Sequence, residues 1–418
     1  MDNSLLLDNL IHKEISRQND NLELIASENY PSMKIRNLQS SILTCKYAEG
    51  YPNKRYYGGC EYIDKIEELA IYEACKLFGS KFANVQPHSG SQANAAAYRA
   101  LEKYYIQEGR LDNTDRKMRI LSVELNEGGH LTHGSFVSFS SHLYDFSFYK
   151  LDKTGHIDFD LVEEAIIKNK PDVILAGYSA YPYEVNFEKF KELADKYNCK
   201  FIVDMAHIAG LVAAGLHQNP CKYADIVTTT THKTLRGPRG GLILTNNEEL
   251  YKYINSAVFP YYQGGPLEHV IAAKAQCFIE ANSVEFKKYI KNVLKNTKAF
   301  SEEMIKLGAE CSSTDNHLVL LNTMKTYNIT GKDAQNLLEE YHITTNKNML
   351  PNDNLLPTIT SGLRIGFAAL TTRGCTTKMA REIAHIINNI LRKQTYGAYD
   401  AYRNVFKIIN KLKYTEEL

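Results

Sequence analysis

Between residues 70 and 250, short apolar runs alternate with amphipathic stretches, which narrows the fold to a mostly parallel α/β sheet covered by helices. Val173-Ile174-Leu175-Ala176-Gly177-Tyr178 follows Lys170-Pro171 as one apolar run, the pattern of a strand buried on both faces. Phe187 to Asn198 sets Phe187, Phe190, Leu193 and Tyr197 at helical spacing. Phe201-Ile202-Val203-Asp204, Asp225-Ile226-Val227-Thr228 and Gly241-Leu242-Ile243-Leu244-Thr245 read as three further strands. From about residue 280, Lys/Glu-rich helices with scattered short strands predict a smaller α+β domain. The first fifty residues lack strand alternation and read as a helical arm. The expected division is an arm over 1–50, a large domain over 51–275 and a small domain over 276–418.

Composition removes several function classes. Lys+Arg 49 against Asp+Glu 48 leaves a net charge of +1, so no bulk field draws nucleic acid or an anionic membrane. The eight cysteines show no CxxC spacing, which reads as reduced thiols in a cytoplasmic protein. The start, Met1-Asp2-Asn3-Ser4, is acidic where a targeting peptide is basic, and no apolar stretch is long enough to span a bilayer. Neither a nucleic acid nor a membrane is an expected partner, and no metal site is expected.

Chemistry concentrates in Thr228-Thr229-Thr230-Thr231-His232-Lys233-Thr234-Leu235-Arg236-Gly237-Pro238-Arg239-Gly240-Gly241. The threonines favour the end of a strand, so Lys233 emerges at a carboxyl end, where open α/β sheets bind ligands. A lysine beside hydroxyls and a glycine-rich turn suits a Schiff base with an aldehyde cofactor. The alternative is a basic surface loop. Asp204 ends the preceding strand; a carboxylate there keeps a pyridine nitrogen protonated, or else simply caps the helix expected near Ala206. His207 follows, as a cofactor contact or a packed side chain. His88-Ser89-Gly90-Ser91-Gln92 precedes the helical run Ala95 to Tyr105, forming an amino terminus able to cradle phosphate or a plain N-cap. Together these point to pyridoxal phosphate.

The chain resembles the serine hydroxymethyltransferases, fold-type I pyridoxal phosphate enzymes, over nearly its whole length. The resemblance rests on Leu24-Ile25-Ala26-Ser27-Glu28-Asn29, Lys46 to Pro52, Lys54 to Gly59, Asn84 to Ser91, Gly128 to Gly134, Val203 to His207, the lysine run, Gln263-Gly264-Gly265-Pro266, Thr314 to His317 and Thr360 to Arg364. It implies a seven-stranded type of sheet between helices, and the reversible conversion of serine and tetrahydrofolate to glycine and methylene-tetrahydrofolate. It implies that Lys233 holds the cofactor and Asp204 pairs its ring nitrogen, with His130 stacked on the ring. Ser89, Gly90, Ser91, Gln92, Thr230 and Arg239 fall in the cofactor set, joined across a subunit boundary by Tyr47, Gly264 and Gly265. Ser179 and His207 would contact the ring hydroxyl, and His232 would influence specificity. Arg364 and Ser27 would hold the substrate carboxylate, a task suited to a planar guanidinium. Tyr57 and Glu49 would come from the partner, Glu49 handling the proton on the serine hydroxyl and the folate. Leu125, Gly129, Leu131, Asn348, Leu356, Pro357 and Thr358 would face the folate. Such sharing requires at least a homodimer; a tetramer stays open.

Four places depart from the family's usual pattern: Asn126-Glu127, Tyr261-Tyr262, Thr358 and Phe367-Ala368. The last replaces Thr-Pro, and the loss of a proline is expected to loosen the Arg364 loop; the four together predict weaker cofactor or folate binding than in a typical member. Direct displacement and a retro-aldol route remain equally open. Two other readings are a folate-independent aldolase of β-hydroxy amino acids, which would not need Glu49, and a non-catalytic binding protein on the same fold.

Overall fold

The structure, a computed structural model, describes residues 3–111, 116–392 and 398–418. It falls into two units, one of Lys34–Lys287 and one of Met1–Met33 with Lys288–Leu418.

The Lys34–Lys287 unit is built on a seven-stranded sheet: β1 (Phe82–Asn84), β2 (Arg119–Val123), β3 (Asp145–Tyr149), β4 (Val173–Ala176), β5 (Lys200–Asp204), β6 (Ile226–Thr230) and β7 (Gly241–Thr245). Their order is β1-β7-β6-β5-β4-β2-β3, with β7 antiparallel to both neighbours and the remaining pairs parallel. Every residue of β4, β6 and β7 is buried, as expected of strands covered on both faces. The register sets Asp204 opposite Thr228 and Thr230 opposite Gly241. The ends of β5 and β6 therefore lie side by side. Strand β4 stops two residues earlier than the apolar run, because Gly177 turns away at a φ of 156°.

Small residues let the helix Gly90–Gln107 approach the sheet closely. Ala93, Ala97, Ala100 and Leu101 pack with Ile120, Leu175, Ile202, Ile226 and Ile243. Side-chain caps start the helices: Ser89 accepts from Gln92 N, Asn186 from Lys189 N, and Asn247 from both Glu249 N and Leu250 N. The helix begun at Phe187 ends at Lys196, short of the Asn198 expected from sequence, and Asn198 has a φ of 54°.

The other unit centres on three antiparallel strands, β8 (Leu318–Asn322), β9 (Asn346–Asn348) and β10 (Gly362–Gly366), with β10 in the middle. Phe300, Val319, Leu338, Leu363, Ile365, Phe367, Ile383 and Ile387 share its core. Its amino-terminal part contains the helix Asn3–Asn19 and a two-residue strand, Leu22–Glu23, paired in parallel with Ile343–Thr344. Arg373 fastens that segment: its buried guanidinium donates to the carbonyls of Gln18, Asn19, Asn21 and Lys413 at 2.8–3.0 Å. The chain after Arg364 is closely packed. Phe367 is fully buried against Phe300, with ring centroids 5.2 Å apart, and the helix Ala368–Thr372 starts immediately after it. At this position an aromatic ring fills core space beside the start of the helix.

All eight cysteines are free. Among the described residues, no helix is long and apolar enough to cross a membrane.

Candidate active site

At the carboxyl end of β5, Asp204 is surrounded by donors. Its Oδ2 accepts from Asn94 Nδ2 at 2.9 Å and faces His133 Nε2 at 3.2 Å, while Oδ1 accepts from Ala206 N at 3.0 Å. Asn94 Nδ2 also donates to Thr132 Oγ1 at 2.8 Å, and Asn94 Oδ1 accepts from Thr228 Oγ1 at 2.6 Å. His133 Nδ1 accepts from His130 N at 3.4 Å, which leaves the proton of a neutral ring on Nε2, where it serves Asp204. Burial pushes the Asp204 carboxyl upward, but the hydrogen bond from His133 and the nearby charge of Lys233 outweigh it. The carboxyl is held well below the usual carboxylate range and is an anion at neutral pH. The cap on Ala206 N and the anionic site thus coexist, although the helix that follows begins only at Ala209.

His130, His133 and Asp204 offer ligand atoms within 4.8 Å of one another, as a metal site would. The hydrogen bonds argue against that use. His133 Nε2 donates, so it has no lone pair for an ion, and both carboxylate oxygens are occupied by N–H groups.

Lys233 is buried in the turn after β6. Arg236 takes a φ of 61°, Arg236 N donates to Lys233 O at 3.0 Å, and Gly237 N donates to Thr231 O at 2.7 Å. Beside the lysine, burial first and then the charges of Lys233, Arg239 and Lys274 lower the His232 pKa to about 3, so this imidazole is neutral. Its Nδ1 and the buried Thr230 Oγ1 have no hydrogen-bond partner. His207 is buried nearby in the sequence, its carbonyl accepting from Thr234 Oγ1 at 2.8 Å.

Ser89 caps the helix Gly90–Gln107, with Gln92 N donating to its hydroxyl at 3.2 Å; Ser91 is exposed and Gln92 half-buried. A Cβ on Gly90 would come within 2.6 Å of Thr230 Cγ2, so glycine is required for helix and strand to meet there. First-turn amides next to an unpartnered Thr230 hydroxyl are the donor set of an anion site. The loop after β2 is also tightly drawn: Gly128 O accepts from Ser179 N at 2.8 Å, and a Cβ on Gly129 would meet Val123 O at 2.7 Å. Leu125 is half-buried and Leu131 48% exposed. Lysine, pyridine-pairing anion and phosphate donors are all present, so these residues fit pyridoxal phosphate.

A second cluster of the same unit gathers Tyr47, Glu49, Tyr57, Gly264 and Gly265. The Tyr47 and Tyr57 rings lie 5.0 Å apart, and Tyr47 OH donates to Glu49 Oε1 at 3.4 Å. Cβ atoms on Gly264 and Gly265 would reach Glu49 Oε1 at 3.2 Å and the Tyr47 ring at 3.1 Å. The Glu49 charge, before all else, raises the Tyr57 pKa. Arg55 supports this loop from below, donating to Ala48 O at 2.8 Å, Gly50 O at 3.0 Å, Asp64 Oδ1 at 2.8 Å and Glu67 Oε2 at 2.6 Å. Tyr261 has a separate use, with Arg99 over its ring at 4.6 Å and Lys103 at 5.5 Å.

In the other unit, Arg364 stands on β10 directly across from Asn346 of β9. Its Nε donates to Asn346 Oδ1 at 3.3 Å and its Nη2 to Ser27 Oγ at 3.5 Å. Burial lowers its pKa to about 10, which leaves a cation at neutral pH. Asn348 is half-buried, whereas Leu356, Pro357 and Thr358 are exposed.

Sequence reading did not single out Asn94, His133, Arg55 or Asn346. Signals were available for two of them. Asn94 is a lone polar residue on an alanine-rich helical face, and Arg55 precedes Asp64 and Glu67, which share one face at i,i+3 spacing.

Comparison with known proteins gives the family. The family model described as serine hydroxymethyltransferase matches residues 2–387. A serine hydroxymethyltransferase of Lactobacillus johnsonii is 53% identical over 387 residues, covering 92% of this chain and 91% of its own length. That of Mesoplasma florum is 51% identical, covering 91% and 90%, and a serine hydroxymethyltransferase 2 of Pseudomonas savastanoi pv. phaseolicola is 53% identical, covering 94% and 92%. With a fold-type I sheet, pyridoxal phosphate as cofactor and tetrahydrofolate as co-substrate, the chain belongs to the serine hydroxymethyltransferase family, whose enzymes reversibly interconvert serine and glycine.

Proposed function

We propose that the interconversion of serine and glycine runs at the carboxyl edge of the large sheet, with Lys233 as the residue that holds pyridoxal phosphate covalently. One observation carries this assignment: an ionised Asp204 gripped by N–H donors at the end of β5, in register with the strand that leads to Lys233. When bound, pyridoxal phosphate supplies an electron sink for the bond broken at the amino acid's Cα.

The chain's own residues then divide the work. Asp204 would hold a proton at the pyridine nitrogen, and His130 would pack against the ring. Ser179 and His207 bind the ring hydroxyl. Ser89, Gly90, Ser91, Gln92, Thr230 and Arg239 bind the phosphate. His232, neutral beside Lys233, adds no competing charge there. Arg364 and Ser27 orient the substrate carboxylate. Glu49 moves the proton at the serine hydroxyl oxygen, with Tyr57 beside it. Leu125, Gly129, Leu131, Asn348, Leu356, Pro357 and Thr358 bind the folate and help to exclude water. Tyr47, Glu49, Tyr57, Gly264 and Gly265 act in the site of a neighbouring subunit, so the working form is at least a homodimer. The near-neutral charge and eight free cysteines support a cytoplasmic setting.

The test is the visible absorption of purified protein with glycine, before and after tetrahydrofolate is added. A bound-cofactor band, with a longer-wavelength band that grows on adding folate, is the expected result. Borohydride reduction without glycine should fix the cofactor to wild type and not to Lys233→Ala; cofactor fixed equally to both would remove the assignment.

A further inference from the structure

None of these roles uses Lys274, a buried lysine on the helix Glu268–Ala281 with 1% of its surface exposed. Its Nζ donates to three backbone carbonyls: Val85 at 2.6 Å, Pro87 at 3.0 Å and Gly241 at 2.8 Å. An ammonium has three donors and no acceptor, so all three are engaged. Val85 and Pro87 belong to the segment that leads from β1 to the Ser89 cap, and Gly241 opens β7. Gly241 N also donates to Pro87 O at 2.9 Å. The lysine stem runs against Gly240, where a Cβ would press on Lys274 Cε and come within 3.0 Å of Nζ. Gly240 O in turn accepts from Thr231 N at 3.1 Å. One ammonium therefore ties the approach to the phosphate site to the far end of the turn that carries Lys233.

Among the described residues, no carboxylate bonds to this ammonium. Burial lowers its pKa to about 7, opposed by the charge of Glu67. A methionine would fill a similar volume without the desolvation cost of a buried charge. What a lysine adds at this position is the placement of three carbonyls.

We propose that Lys274 is a positioning residue for cofactor binding, fixing the Val85–Ser89 segment against Gly240 and Gly241 so that the first turn of the helix Gly90–Gln107 receives the cofactor's phosphate. This inference rests on the assignment of Ser89 to Gln92 as the phosphate site. It is specific to the phosphate, which gives the test its contrast. Full-length wild type, Lys274→Met and Lys274→Gln are stripped of cofactor and titrated with pyridoxal phosphate and with pyridoxal, which lacks the phosphate. Dissociation constants are read from the bound-cofactor absorption, with thermal unfolding of the cofactor-free proteins alongside. Lys274→Met should weaken pyridoxal phosphate about 30-fold and leave pyridoxal unchanged. Lys274→Gln, which keeps two donors, should fall between. Equal weakening of both ligands would make Lys274 a merely structural residue and overturn the proposal, as would undiminished pyridoxal phosphate binding. If Lys274→Met does not fold, Gly240→Ala displaces the stem and is judged by the same contrast. A wild type that binds both ligands equally would remove the phosphate-site assignment itself, and this inference with it.

Discussion

The Asp204 carboxylate meets three N–H groups from three different parts of the chain: Asn94 on a helix, His133 in a loop and the backbone of Ala206. Both side-chain donors are fixed by a further partner, so the anion's orientation is set before any ligand arrives, the arrangement in which electrostatic catalysis is strongest. Asn94→Ala removes one side-chain donor from Oδ2 and the acceptor for Thr228. Steady-state kinetics should show kcat falling about tenfold with KM for serine little changed. A pure KM effect would place Asn94 outside this network's catalytic use. Lys233 was legible in sequence because its motif is unusual in composition by itself, whereas Asp204 also read as a helix cap and Arg364 came only through the family resemblance. Asn94 and Asn346 were not legible, because a buried asparagine is defined by its partners. Thr228 lies far along the chain from Asn94, and only the register of β9 against β10 brings Asn346 to Arg364.

The helix Glu268–Ala281 carries two buried ionisable groups with opposite fates. Lys274 finds three carbonyls, whereas neither oxygen of Glu268 has a hydrogen-bond partner and the nearest cation, Arg55 Nη1, is 3.8 Å away. Burial first, then the charge of Glu67, raise the Glu268 pKa from 4.5 to about 8. The folded protein thus holds a proton that the unfolded chain releases above pH 4.5. The stability this contributes is complete below pH 4.5 and is lost as the pH climbs through 8. Thermal melts of Glu268→Leu should therefore show a gain on wild type of about 1–3 kcal/mol between pH 5 and pH 9. A parallel pair of stability curves would count against a buried protonated Glu268. The element that contains Phe367 yields the second test. Replacing Phe367-Ala368 with Thr-Pro restores the family's usual pattern but empties a ring's volume from the core. Denaturant unfolding should report a loss of about 3 kcal/mol, not the improved efficiency that the sequence pattern invites. Strands β4 and β7 were readable because strands covered on both faces are nearly continuous apolar runs, and β6 because its Ile226-Val227 and threonines are β-branched. The pair Leu22–Glu23 with Ile343–Thr344 was not, since two residues carry no periodicity and their partners come from opposite ends of the chain.

At the scale of the whole molecule, the cluster of Tyr47, Glu49, Tyr57, Gly264 and Gly265 is complete within one chain. If it serves a neighbour's site, two inactive variants should rescue each other. Glu49→Gln and Lys233→Ala, dissociated and reassociated as an equal mixture, should regain about a quarter of wild-type activity, since only mixed dimers hold one intact site. No regain would mean that each chain serves its own site. The units also differ in how they occupy the chain: Lys34–Lys287 is continuous, whereas the other joins Met1–Met33 to residues beyond Lys287. Synthesis runs from the amino terminus, and contiguous domains fold as they emerge. The large sheet can therefore close while the helix Asn3–Asn19 and strand Leu22–Glu23 still wait for Ile343–Thr344 and the Arg373 guanidinium. For most of the ribosome's passage along this message, Leu22 and Leu24, fully buried in the finished fold, are carried by a segment without its final anchor, and that interval is where a nascent-chain chaperone has most to protect.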